Sequence, residues 1–310
     1  MRCENYPVIA TDIPKLTVGG FPIAMSADAF GMLADSSSIV DDVTELRSRM
    51  ETDGYLYLPA LLDRDQVTDV RRAVTGQLAA IGILDPTHPA DDAIAATDYK
   101  HDEQHRLSSK VSALKSMLYS GRMTQFFERF LGVPVAHFDY TWLRTVAPGL
   151  GTRSHCDIVY MGRGSRNLYT AWTPIGDVDL HMGGLMVLEG SHRHDRLRKT
   201  YCTRDVDSYC VNRERGAAER ERDGGNGWLA QDPRQLQRVL GGRWRTHDYK
   251  AGDVVVFSTY TVHCGLDNHT NRVRISTDSR YQSAHEPRDD RWIGEDPIAH
   301  GAAGKRGKVC

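Results

Sequence analysis

The chain has 310 residues, and its 39 Lys and Arg against 41 Asp and Glu leave a formal charge of −2 with a pI near 6.7. That balance excludes the overall basic field of a nucleic-acid binder, and 40% hydrophobic with 26% charged residues excludes a disordered acidic chain while allowing a sizeable core. No apolar run approaches the roughly 18–20 residues of a membrane span, and Met1–Pro7 shows no secretory-signal pattern, so a cytoplasmic protein without a membrane partner is expected.

In chain order, residues 1–43 read as an extended N-terminal segment punctuated by Pro7, Pro14 and Pro22. Helical spacing begins behind Asp41 and Asp42, where Val43, Leu46 and Met50 recur, and stops at Gly54. Tyr55–Leu58 reads as a short strand. Asp63 then opens a helix whose stripe is Val67, Val70, Val74, Leu78 and Ile81. Residues 85–105 read as loop, and Phe126, Phe127, Phe130 and Leu131 mark another helix stopped by Gly132. Strand signals follow at Ala136–Val146, Leu168–Trp172, Leu185–Leu188, Asp253–Ser258 and Val273–Tyr281. Helices first and strands later predict an all-β core with a helical jacket. Residues 195–247 interrupt the strands with a charged, Gly-rich stretch carrying Arg204, Arg213, Arg215, Arg220 and Arg222; it is expected to be an insertion, possible as a lid or as solvated surface.

Phosphate-loop and serine-nucleophile signatures are missing: there is no G-x-x-x-x-G-K-[ST] and no G-x-S-x-G. None of the six cysteines forms a C-x-x-C pair, so free thiols are expected and a zinc ribbon is not. The constellation that carries chemistry is His155-Cys156-Asp157 with His263, more than a hundred residues later. On an extended segment, residues two apart point to the same face, so His155 and Asp157 can reach one ion. Two imidazoles and a carboxylate, leaving the opposite face open, suit non-haem Fe(II). By itself H-x-D is a weak signal in a chain with thirteen histidines; the context of both halves strengthens it.

That context is ordered. His155-x-Asp157 follows a Pro148–Gly151 turn; Trp172 lies in a later strand; Gly183–His192 reads G-G-L-M-V-L-E-G-S-H; Gly252-Asp253-Val254-Val255-Val256-Phe257 precedes His263; and Arg274 and Ser276 come eleven and thirteen residues beyond it. This set, with Asp53–Leu58 as an opening helix–strand signature, resembles the phytanoyl-CoA dioxygenase family of Fe(II)/2-oxoglutarate oxygenases from about residue 44 to 282, leaving 1–43 as an extension and 283–310 as a tail. The resemblance implies one domain folded as a double-stranded β-helix, a cupin-like jelly-roll barrel. It implies that His155, Asp157 and His263 bind iron and that Arg274 salt-bridges the far carboxylate of 2-oxoglutarate. Ser276 would add a hydroxyl, Trp172 would wall the cosubstrate pocket, and Tyr160 would face a small-molecule substrate. With O₂ as oxidant, the implied reaction is hydroxylation of a C–H bond with release of succinate and CO₂. Retention of Asp157 favours hydroxylation over halogenation. Arg274 as a surface ion-pair residue and Trp172 as plain core remain competing readings. At the level of the whole chain, a cupin-like metal enzyme without 2-oxoglutarate and a non-catalytic ligand-binding barrel also compete.

Overall fold

A computed structural model of the chain describes residues 15–101, 104–208, 227–300 and 304. The helical part follows from its caps and stripes. Helix α1 (Val43–Asp53) starts where the Asp42 carboxylate accepts from the amides of Thr44 and Glu45, and it ends at Gly54 with φ +82°. A Cβ at Gly54 would also collide with the His192 ring, so glycine is required there twice over. Helix α2 (Arg64–Ala80) is capped by Asp63 and fully buries Val67, Val70, Val74 and Leu78, each worth about 1.5–3 kcal/mol. Ile81, expected to extend that stripe, is the C-cap residue and is half exposed. Helices α3 (His105–Ser108), α4 (Ser112–Tyr119) and α5 (Gly121–Leu131) complete the jacket, and Phe127 of α5 stacks on Tyr281 with ring centroids 4.0 Å apart.

The strands are β1 (Thr17–Val18), β2 (Phe21–Pro22), β3 (Phe30–Met32), β4 (Tyr55–Leu58), β5 (Val135–His137), β6 (Trp142–Val146), β7 (Thr152–His155), β8 (Tyr169–Pro174), β9 (Leu185–Leu188), β10 (Trp244–Thr246), β11 (Val254–Ser258), β12 (His263–Gly265) and β13 (Arg274–Ser283). They form a β1–β2 hairpin, a five-stranded sheet ordered β3-β10-β9-β12-β7, and a six-stranded sheet ordered β4-β11-β8-β13-β5 with β6 also paired to β13. The two large sheets are separate ladders, so the barrel is made by face-to-face packing. Both faces of the six-stranded sheet are buried. Val254 and Val256 pack under the helices, while Val255 and Phe257 join Trp172, Leu185 and Val187 in a second cluster with residues of the other sheet. Burial on both faces is why β11 reads as an unbroken apolar run.

Three segments differ from their sequence reading. The expected strand over 136–146 is two strands, parted where the amides of Asp139 and Tyr140 donate to the Trp292 carbonyl. The N-terminal segment supplies β3, which pairs in parallel with β10, and its hairpin grips the barrel through Asp267, whose carboxylate accepts from Thr17 Oγ1 at 2.6 Å and the amides of Gly19 and Gly20 at 2.8 Å. Within 195–247, helices α7 (Asp195–Lys199) and α8 (Pro233–Leu240) and strand β10 are integral to the fold, whereas Arg213, Arg215, Arg220 and Arg222 lie outside the described residues. No helix among the described residues is long and apolar enough to cross a membrane.

Candidate metal centre

His155 ends β7 and His263 begins β12, and the two are direct cross-strand partners. Their ring centroids are 4.2 Å apart. Asp157 arrives differently from the extended-strand expectation. It has φ −63° and ψ −27° and opens helix α6 (Ile158–Met161), so a helical turn rather than strand alternation brings its carboxylate to the histidines. The result is still a closed set: the three ligand atoms lie within 4.8 Å of one another, and all three residues are buried. Asp157 Oδ1 is 3.8 Å from His155 Nε2 and 3.6 Å from His263 Nε2.

The imidazole tautomers follow from their outer bonds. His155 Nδ1 donates to the Arg153 carbonyl at 2.7 Å and His263 Nδ1 to the Thr261 carbonyl at 3.0 Å. Each Nε2 is therefore left as a lone pair facing the carboxylate, which is how an imidazole binds a metal. Burial, reinforced by His263, pushes His155 down to about 3, so it is neutral across the physiological range. Burial alone would raise Asp157, yet the Arg280 guanidinium, the two histidines and the Thr170 hydroxyl hold it well below the usual carboxylate range. A carboxylate and two imidazoles whose Nδ1 atoms are already engaged, with both Nε2 atoms turned to the carboxylate, are the donor types of a non-haem Fe(II) site.

A narrow cavity runs from this set to Arg274, lined also by Thr152, Trp172, Leu185 and the Arg144–Asp278 pair. Arg274 is buried on β13 opposite Val146, and its Nη1 donates to the carbonyl of Gly183. Gly183 presents that carbonyl from a turn with φ +73°, where a Cβ would strike the backbone of Asp267. Ser276, two residues along the same face, is fully buried, and its Oγ has no hydrogen-bond partner among the described residues. Trp172 lines the cavity and packs on Tyr249 at 4.6 Å. Tyr160 stands edge-on to His155 at 5.4 Å and is 5.7 Å from His300. Cys156 and Cys264 are free and buried in an apolar cluster outside the ligand set.

Two arginines that the sequence reading did not single out also belong to this region. Arg144 lines the cavity, bonded to Asp278 at 3.1 Å. Arg280 reaches Asp157 Oδ2 at 3.1 Å. The period of two that groups Ser276 with Arg274 continues to Asp278 and Arg280, while Ile275 and Tyr281 face the helices, so the signal was present in β13.

The phytanoyl-CoA dioxygenase (PhyH) family profile matches residues 50–276, a span that holds the whole ligand set and Arg274. The chain belongs to this family. Within reach of the PhyH family by sequence are two proteins called 1-deoxypentalenic acid 11-beta-hydroxylase, from Streptomyces exfoliatus (29% identical) and Streptomyces arenae (27%), each over 184 residues, or 54% of this chain. The match spans 60% of the length of those relatives. By structure, the epimerase SnoN from nogalamycin biosynthesis, solved with Fe3+, alpha ketoglutarate and nogalamycin RO, is similar over 84% of this chain and 95% of its own, at TM-score 0.56 and 19% identity. EctD from S. alaskensis, solved with 2-oxoglutarate and 5-hydroxyectoine, is similar over 94% and 96%, at TM-score 0.56 and 18% identity. These likenesses establish that this PhyH-family chain shares their double-stranded β-helix fold.

Proposed function

We propose that the chain is a non-haem Fe(II)- and 2-oxoglutarate-dependent oxygenase that hydroxylates a C–H bond of a small-molecule metabolite. The observation that carries this reading is the buried His155–Asp157–His263 set, with both Nε2 lone pairs and one carboxylate oxygen converging. In the proposal, Fe(II) with 2-oxoglutarate and O₂ supplies the power to attack an unactivated carbon, with succinate and CO₂ released. The chain binds and orients. The buried, partnerless Ser276 hydroxyl beside Arg274 fits a cosubstrate carboxylate, because a guanidinium fork and a hydroxyl both donate to one anion. In this reading Trp172, which lines the cavity, would wall that end, and Tyr160, edge-on to His155, would face substrate. The retained carboxylate at 157 and the hydroxylase relatives support hydroxylation. A cytoplasmic setting is part of the proposal, supported by the free thiols of Cys156, Cys202 and Cys264.

The test is an anaerobic Fe(II) titration of metal-free protein, followed by succinate measurement on admitting O₂ with 2-oxoglutarate and a metabolite extract. One Fe(II) per chain and iron-dependent succinate are expected. No iron uptake, or stoichiometric uptake with no 2-oxoglutarate consumed under any condition, refutes the proposal.

A further inference from the structure

The two oxygens of Asp157 live in different surroundings. Oδ1 faces the imidazoles, whereas Oδ2 accepts from the Thr170 hydroxyl and from Arg280 Nη2 at 3.1 Å. Thr170 and Arg280 are direct cross-strand partners of β8 and β13, so one register position of the six-stranded sheet presents both donors. The Arg280 guanidinium is closely packed. It is 2% exposed, its carbon lies 4.5 Å over the Trp142 ring, and its Nε points to Met161 Sδ at 3.2 Å. A cation so buried costs much solvation, and the ion pair with Asp157 is what offsets it. Its Nη1 is buried with no hydrogen-bond partner among the described residues.

We infer that Arg280 is a positioning residue that, with Thr170, reserves Oδ2 of Asp157, so that the carboxylate offers the metal Oδ1 alone. The inference rests on reading the triad as a metal centre. A carboxylate with both oxygens available can clasp a divalent ion with both, filling a coordination position that a chelating cosubstrate needs. Two donors on Oδ2, one charge-assisted, use up its accepting capacity and fix the carboxylate plane. The histidines come from the five-stranded sheet and the grip on Asp157 from the six-stranded one. Coordination geometry is thereby tied to the docking of the two sheets.

The experiment titrates Co(II) into metal-free protein, recording affinity and the visible spectrum of bound Co(II), for the parent, Arg280→Leu, Arg280→Lys and Thr170→Val, with a thermal melt of each metal-free protein. Arg280→Leu is expected to weaken Co(II) binding about 10–100-fold and to change the spectrum. Arg280→Lys, which restores one charged donor, should recover most of the affinity, and Thr170→Val should shift the spectrum with a smaller loss. If Arg280→Leu does not fold, Arg280→Lys and Thr170→Val decide by their spectra. Variants that melt lower but keep parental affinity and spectrum overturn the inference and leave Arg280 a prop for Trp142. Failure of the parent itself to bind Co(II) would instead strike the metal-centre reading.

Discussion

Replacing Arg274 by Leu tests what makes an iron barrel a 2-oxoglutarate enzyme. The side chain is 2% exposed and shares a cavity with all three ligands, so an anion anchored there would be desolvated at both ends. Truncating one partner of a buried, hydrogen-bonded charge pair costs about 2–5 kcal/mol. At about 1.4 kcal/mol per tenfold, 2-oxoglutarate affinity should fall roughly thirty- to several-thousand-fold. The Gly183 carbonyl also loses its guanidinium donor, a cost of about 1–3 kcal/mol in stability, so a melting point lower by on the order of 5 °C is expected. Metal binding should survive, because no ligand and neither donor to Asp157 is touched. Arg274→Lys should fall between, keeping the charge and losing the fork. The assay is a pair of anaerobic titrations, metal into apoprotein and 2-oxoglutarate into metal-loaded protein, on both variants. Parental 2-oxoglutarate affinity in a folded Arg274→Leu refutes the reasoning and moves the anchor elsewhere, with Arg144 the next candidate in the cavity.

Asp157→Ala should abolish iron-dependent succinate release and weaken metal uptake, since it removes the only carboxylate among the three ligands; ordinary turnover at full iron occupancy would contradict the triad. Cys156→Ser and Cys264→Ser should keep iron affinity within a few-fold of the parent by the same titration, because both cysteines belong to a buried apolar cluster and neither is one of the three converging donors. Asp53, at the end of α1, is raised to about 6 by burial and then by Glu189. Its folded form therefore holds a proton that the unfolded chain, near 3.8, has released, so stability falls as pH rises from about 4 through 6. Asp53→Asn should melt higher than the parent by about 1–2 °C at pH 8, a gain kept small by solvent screening, and should lose that gain at pH 4; equal gains at both pH values would contradict the assignment.

How far the sequence could be read depended on how local each signal was. Caps and stripes are local, which is why Asp42, Asp63, Gly54 and the buried valines of α2 were legible. The convergence of His155, Asp157 and His263 was legible because family spacing outweighed the geometry assumed for it: Asp157 was expected on a strand and lies on a helical turn. Partnerships between distant segments were not legible. Nothing near Phe30–Met32 announces a parallel pairing with Trp244–Thr246, and a three-residue strand carries too little alternation to be separated from loop. The break at 138–141 depends on the Trp292 carbonyl, over 150 residues away. The pairing of Arg280 with Asp157 was not legible either, because Asp157 sits on the other sheet's connection and no spacing rule links the two.

Strand β7 lies at the outer end of its sheet, laddered to β12 on one side and, among the described residues, joined on the other by a single bridge from Ser154 to Ala230. An ion shared by His155 and His263 would rivet that end strand to the next, across a span of chain about a hundred residues long, in the way a disulfide pins a large loop. Without an ion, β7 would keep its backbone ladder and its buried side chains but lose that rivet, so on the proposed reading metal binding would add to the stability of the chain as well as supply its chemistry.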